Sequence, residues 1–293
     1  MEDPKRFNAD ISGSISEFEY LMKEFVLKKK LYRMLFIAKA LDFDGYREYS
    51  TLDDASAIDW KASLRANEIL VKKYKEEENL KVVFVVDTSE NMVIGSEKKL
   101  KCEYAAEVVA ALSHFIMSTE DKIGMVFFGS NVKDYLPPAR GDNHFRLIVD
   151  ILTNPENYYG WSNLKDALEY LLSYVSSNAV IIVSDFLSFD KETKETLNLV
   201  ANKFETMALI IKDPIDKTLP KVFGEIAIED PKTGKQILIN PAIARKSYEK
   251  NAMKKEEFLR SSLTEIGVDF VELTTNVSFI PLLAEFLKTR IKR

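Results

Sequence analysis

Five short runs of this chain are apolar at nearly every position: residues 82–87 (VVFVVD), 123–128 (IGMVFF), 179–184 (AVIIVS), 206–211 (TMALII) and 268–273 (VDFVEL). Near-continuous apolar runs of this length read as strands covered on both faces, the pattern of a parallel sheet. Between them the period changes. Leu100, Tyr104, Val108, Leu112 and Phe115 recur every three or four positions, as do Leu164, Ala167, Leu168, Leu171 and Leu172. Leu282, Leu283 and Phe286 begin a third such stripe. That spacing predicts helices with one apolar face. Strands alternating with helices predict right-handed crossovers and an open α/β sheet.

The alternation is interrupted between residues 212 and 267. There EIAIEDPKTGKQILIN reads as a hairpin turning at Pro231–Gly234, and a charged helix follows from about 241 to 265, ended by Gly267. Before residue 80 the pattern is less regular: an amphipathic helix over 15–30, an apolar stretch over 31–40, and a charged helix over 65–79. The expected organisation is an N-terminal extension, 1–79, then an α/β domain, 80–293, with an insertion at about 213–267.

Composition narrows the function. At 46% hydrophobic and 30% charged residues over 293 positions, the chain has the make-up of a soluble globular protein. Its net charge of -5 argues against a nucleic-acid partner, which calls for a basic surface. A single cysteine, Cys102, excludes an internal disulfide framework, and two histidines leave little for a zinc site or a Ser-His-Asp triad. No apolar run approaches the 18 or so residues of a transmembrane helix, and MEDPKRFNAD has no signal-peptide core. The expected location is the cytoplasm.

Ligands of an open α/β sheet gather at the carboxyl ends of its strands. Asp87 ends one predicted strand and is followed at every second position by Ser89 and Asn91; Asp185 closes another, in AVIIVSDF. Asp, Ser and Asn also suit ordinary turns, and Asp185 equally suits a solvated loop or helix cap. Ser162, in YYGWSNLKDAL, precedes a helical stripe and either caps it or turns its hydroxyl toward the same edge. Together these are hard oxygen donors, with neither thiolate nor imidazole, and they match Mg²⁺ or Mn²⁺.

A D-x-S-x-S stretch, then a Thr, then an Asp on three loops of an α/β sheet is the metal-ion-dependent adhesion site of von Willebrand factor A domains. Here the pattern resembles it with Asn91 for the last serine and Ser162 for the threonine. The segment from Arg47 to Met92, with Asp53, Ile58, Asp59, Trp60, Lys61, Ala62, Ser63 and Arg65, resembles the domain-of-unknown-function family numbered fifty-eight, although Leu52 and Ala57 depart from its pattern. The resemblance implies a von Willebrand factor A-like fold and metal ligation by Asp87, Ser89, Asn91, Ser162 and Asp185. It also implies a non-enzymatic module that captures a partner's Asp or Glu and works as an adaptor with a MoxR-type AAA+ ATPase. Tyr158, Tyr159 and Trp161, beside Ser162, are candidate docking residues around the metal. For Trp60, base rates favour burial, with Asp59 and Lys61 able to pair. Two alternatives stay open. A phosphohydrolase of haloacid dehalogenase type also places an Asp after a first strand, but needs D-x-D where position 89 is Ser. A structural α/β protein with a degenerate site is the other.

Overall fold

The computed structural model describes residues 6–27, 43–50, 58–74, 79–220, 224, 226–229 and 236–290. They fall into two compact units: helix α1 (Ile11–Leu27) joins everything from Leu80 onward, and the intervening segment stands by itself. One junction lies between Asn79 and Leu80, while α1 belongs to the larger unit and not to a separate extension over 1–79. Two glutamates of the later chain anchor it: Glu103 Oε1 accepts the Asn8 N–H at 2.8 Å and Glu107 Oε1 accepts the Asp10 N–H at 2.6 Å. Phe18 and Met22 of α1 are fully buried in the main core.

In the small unit, β1 (Phe43–Glu48) pairs antiparallel with β2 (Leu70–Tyr74), and α2 (Trp60–Ala66) lies between them in sequence. This corrects the charged helix expected over 65–79, since α2 stops at Ala66 and a strand begins at Leu70. Residues 31–40 of the apolar stretch lie outside the described residues. Asp59 caps α2, its Oδ1 accepting the Lys61 and Ala62 N–H groups at 3.1 Å each. Trp60 is 63% exposed, against the burial expected of it.

The larger unit is built on a six-stranded sheet. Its strands are β3 (Lys81–Asp87), β4 (Lys122–Phe128), β5 (Val132–Ala139), β6 (Ala179–Ser184), β7 (Glu205–Lys212) and β10 (Asp269–Thr274), in the order β10-β7-β6-β3-β4-β5. All pair in parallel except β5, an antiparallel edge on β4. Its alternating polar residues and Pro137–Pro138 suit an edge and carry no buried-strand pattern, so the sequence reading missed it.

Alternation along the strands sorts the core into two layers. Val82, Phe84 and Val86 of β3 pack with α1, α3 (Lys101–Met117) and α8 (Phe279–Arg290). Val83 and Val85 face α5 (Leu164–Tyr174), α6 (Lys191–Lys203) and α7 (Pro241–Ile266). Each such fully buried side chain contributes about 1.5–3 kcal/mol, so a strand apolar on both faces is held from both sides. The remaining helix, α4 (Asp142–Thr153), follows β5, and the hairpin β8 (Ile226–Glu229) and β9 (Gln236–Ile239), followed by α7, stands between β7 and β10. Gly267, at φ +80°, ends α7 in the left-handed conformation that a C-terminal cap requires. No helix among the described residues is long and apolar enough to cross a membrane.

Candidate metal site at the carboxyl edge of the sheet

Strand β3 lies between β4 and β6, where the winding of the sheet reverses, and a crevice at such a point is where α/β sheets bind ligands. Asp87, the last residue of β3, is fully buried there. Its Oδ2 accepts the Ser162 hydroxyl and the Ser184 hydroxyl, each at 2.7 Å, and its Oδ1 accepts the Ser89 N–H at 2.9 Å. Two loops and the last residue of β6 therefore meet on one carboxylate. Burial, followed by the negative charge of Asp185, holds the Asp87 carboxyl above its usual range, against the Ser184 hydroxyl and Ser89.

Ser162 is free for this role because Asn163, not Ser162, caps α5, through the Asp166 N–H at 3.4 Å. Of the two roles open to Ser162, the hydroxyl takes the one at the sheet edge and leaves the cap to Asn163. Ser89 is fully buried, and its Oγ makes no hydrogen bond. Buried hydroxyls rarely stay unpartnered, so this oxygen points to a ligand. Asn91 follows on the 3₁₀ turn Glu90–Val93, partly exposed.

The first and second loops are laced together. Glu90 N–H donates to the Gly160 carbonyl at 2.9 Å, Gly160 N–H to Glu90 Oε1 at 2.9 Å, and Tyr159 N–H to the Thr88 carbonyl at 3.2 Å. The other carboxylate oxygen of Glu90 is buried without a partner. Gly160 has φ +75°, a conformation that disfavours a side chain. Lys133 reaches in from β5, donating to the Thr88 and Asn157 carbonyls at 2.7 Å each and lying 3.7 Å from the Tyr159 ring centre. Burial brings its ammonium down to about 8, although Asp87 and Glu90 oppose this.

The third loop differs from expectation. Asp185 is neither solvated nor a helix cap: it is fully buried, with Oδ2 2.8 Å from Lys101 Nζ and Oδ1 accepting the Leu187 N–H at 3.0 Å. Lys101 is also fully buried and lies 3.4 Å from Asp216 Oδ1. Burial works to lower the Lys101 ammonium, but Asp185 and Asp216 outweigh it and raise it. Lys212 donates to the Asp185 backbone carbonyl. Phe186, next in sequence, sits at φ +54°, strained for an aromatic residue and held by its N–H to Ser184 Oγ at 3.1 Å.

Among the candidate docking residues, Tyr158 is corrected. It is buried, its hydroxyl donates to the Leu152 carbonyl at 2.9 Å, and its ring meets Phe7 edge-on at 5.2 Å. Tyr159 and Trp161 are 52% and 53% exposed beside Ser162. The sequence reading missed Lys101, Lys133, Ser184 and Glu90. Lys101 did carry a signal: a lysine in the first turn of a helix faces the positive end of the macrodipole, which costs about 0.3–1 kcal/mol unless acids compensate.

The donors suit a divalent cation in part. Among the described residues no three His, Cys, Asp or Glu side chains cluster to hold one, so the fit rests on neutral oxygens. Ser89, Asn91 and Ser162, backed by Asp87, are hard donors of the kind Mg²⁺ or Mn²⁺ takes, and the unpartnered Ser89 oxygen is the observation in their favour. Asp185 fits less well, because both its oxygens are engaged.

By its architecture this is an α/β protein with a mostly parallel central sheet flanked by helices. A family model described as "Protein of unknown function DUF58" matches residues 45–258, most of the chain, and the chain belongs to that family. No curated protein matches it at a significant level. Among solved structures it is similar to the conserved hypothetical protein BatB from Bacteroides thetaiotaomicron, at 13% identity and a TM-score of 0.48 over 73% of this chain and 100% of that one. An aerotolerance-related membrane protein from Bacteroides fragilis follows at 12% identity and a TM-score of 0.46, over 73% and 99% of the two chains. Likeness at this level says nothing about chemistry.

Proposed function

We propose that this protein is a non-enzymatic interaction module with a von Willebrand factor A-like fold, which captures an acidic side chain of a protein partner through a bound Mg²⁺ or Mn²⁺. The observation that carries the reading is the buried, unpartnered Ser89 hydroxyl beside an Asp87 carboxylate that gathers Ser162 and Ser184. Ser89, Asn91 and Ser162 would hold the ion, with Asp87 behind them. Bound mainly by neutral oxygens, the cation stays electron-poor and supplies an acceptor for a further carboxylate.

The chain's own residues supply the rest. Tyr159 and Trp161 present apolar surface next to Ser162, suited to burying what surrounds the partner's carboxylate. Lys133 ties the Thr88 and Asn157 carbonyls, so the two loops that carry Ser89 and Ser162 are held to each other. By resemblance, the partner is a MoxR-type AAA+ ATPase or a substrate of one. Phosphohydrolase chemistry is disfavoured because position 89 carries Ser rather than a second Asp.

The Lys101–Asp185 pair favours a second reading, a structural α/β protein in which a lysine has taken over part of the cation's role. Affinity capture separates the two. Under the first, a partner retained in Mg²⁺ dissociates in EDTA and fails to bind Ser162→Ala or Trp161→Ala. Retention that is indifferent to EDTA and to both substitutions would leave the site structural.

A further inference from the structure

Lys101 is the one fully buried lysine described here, and its surroundings are unlike those of a surface cation. It stands in the first turn of α3, at the positive end of that helix, and its ammonium lies 2.8 Å from Asp185 and 3.4 Å from Asp216. Asp185 is gripped a second time at its backbone carbonyl by Lys212, from the end of β7. Its other carboxylate oxygen takes the Leu187 N–H. So a side chain expected to face a cation is turned to an internal one.

We propose that Lys101 is a specificity-determining residue of the candidate metal site: it withdraws Asp185 from the cation and cancels its charge, trading metal affinity for electron demand at the metal. This rests on the metal-dependent reading given above. With Asp185 cancelled, a divalent ion facing Asp87 and neutral oxygens keeps one net positive charge for an incoming carboxylate. With Asp185 released, the ion would be neutralised by the protein itself. It would then bind more tightly and attract a partner's carboxylate less. The same charge arithmetic predicts weak, readily reversible metal binding in the native chain.

The test is Mn²⁺ binding followed by electron paramagnetic resonance of the free ion, at constant ionic strength, for the wild type, Lys101→Met and the double variant Lys101→Met/Asp185→Asn. Lys101→Met should bind Mn²⁺ at least about tenfold more tightly than wild type, since the Asp185 carboxylate loses the ammonium that pairs with it at 2.8 Å. The double variant restores charge balance and should return to wild-type affinity, which a merely structural role for Lys101 would not require. The double variant also serves if Lys101→Met does not fold, because it must then bind Mn²⁺ as the wild type does. If the wild type binds Mn²⁺ and Lys101→Met binds it no better, the role of Lys101 is refuted and the metal site stands. If the wild type binds none but Lys101→Met does, Lys101 blocks the site rather than tuning it, and both its proposed role and metal-dependent capture by the native chain are refuted. If no form binds, both fall.

Discussion

Replacing Ser89 with alanine should make the metal-free protein more stable, a direction opposite to that of most buried substitutions. The Ser89 side chain is fully buried and its hydroxyl makes no hydrogen bond. Leaving such a hydroxyl unsatisfied costs about 1–3 kcal/mol. Alanine removes the oxygen and leaves the backbone N–H that bonds Asp87 at 2.9 Å in place. The hydroxyl dipole, though it forms no hydrogen bond, also favours the charged form of Asp87, so the lower end of that range, about 1 kcal/mol, is the expected gain. In a unit of this size that raises the melting temperature by about 2–4 °C. Metal should reverse the order. An ion present at a hundred times its dissociation constant stabilises the wild type by about 2.7 kcal/mol, and the variant, lacking a ligand, gains little. Thermal unfolding in EDTA and across a Mg²⁺ series should therefore show two curves that cross. A variant less stable than wild type in EDTA would mean the hydroxyl is satisfied in solution. Parallel curves would mean that Ser89 does not meet the ion.

Other substitutions test neighbouring parts of the account. Asp185→Asn leaves the buried Lys101 facing only Asp216 at 3.4 Å, and should cost about 3 kcal/mol in denaturant unfolding; a cost under about 0.5 kcal/mol would mean the ion pair does not form. Trp161→Ala should change stability by less than about 0.5 kcal/mol, because the ring is 53% exposed, yet weaken partner capture; large destabilisation would place the ring in the core instead. Lys133, ordinarily near 10.5, titrates at about 8 in the folded protein. Between those values the unfolded chain binds the additional proton, so this residue's contribution to stability rises with pH across that window. The difference in unfolding free energy between wild type and Lys133→Met should move accordingly from pH 8 to 10.5, and a constant difference would show that the amine is not shifted.

The strands that carry the site were legible because both their faces are buried: VVFVVD and AVIIVS appear as β3 and β6 within a residue, β3 ending on Asp87 and β6 just before Asp185. The edge strand β5 was not, since a strand at the rim needs no continuous apolar run and tolerates Pro137 and Pro138. The stretch from Leu70 to Tyr74 was read as helix because its lysines suit either state, and its pairing with β1 decides the outcome. At the site, residue types identified Asp87, Ser89 and Ser162, and spacing on either side of β3 placed them at one edge. What remained hidden was pairing over long sequence distance. Nothing local to Asp185 announces that Lys101, 84 positions earlier, neutralises it. Nor does YYGW reveal that Tyr158 turns inward onto Phe7 while Tyr159 and Trp161 stay outside, because that sorting depends on where the N-terminal segment packs.

The central claim is that Asp87 and the hydroxyls around it hold a divalent cation. Equilibrium titration of Mn²⁺ into the metal-free chain, with wild type and Asp87→Ala compared side by side, tests it most directly. One saturable site per chain is expected, displaced by excess Mg²⁺ and absent from a folded Asp87→Ala variant. No saturable binding in the wild type, or equal binding by both proteins, would contradict it.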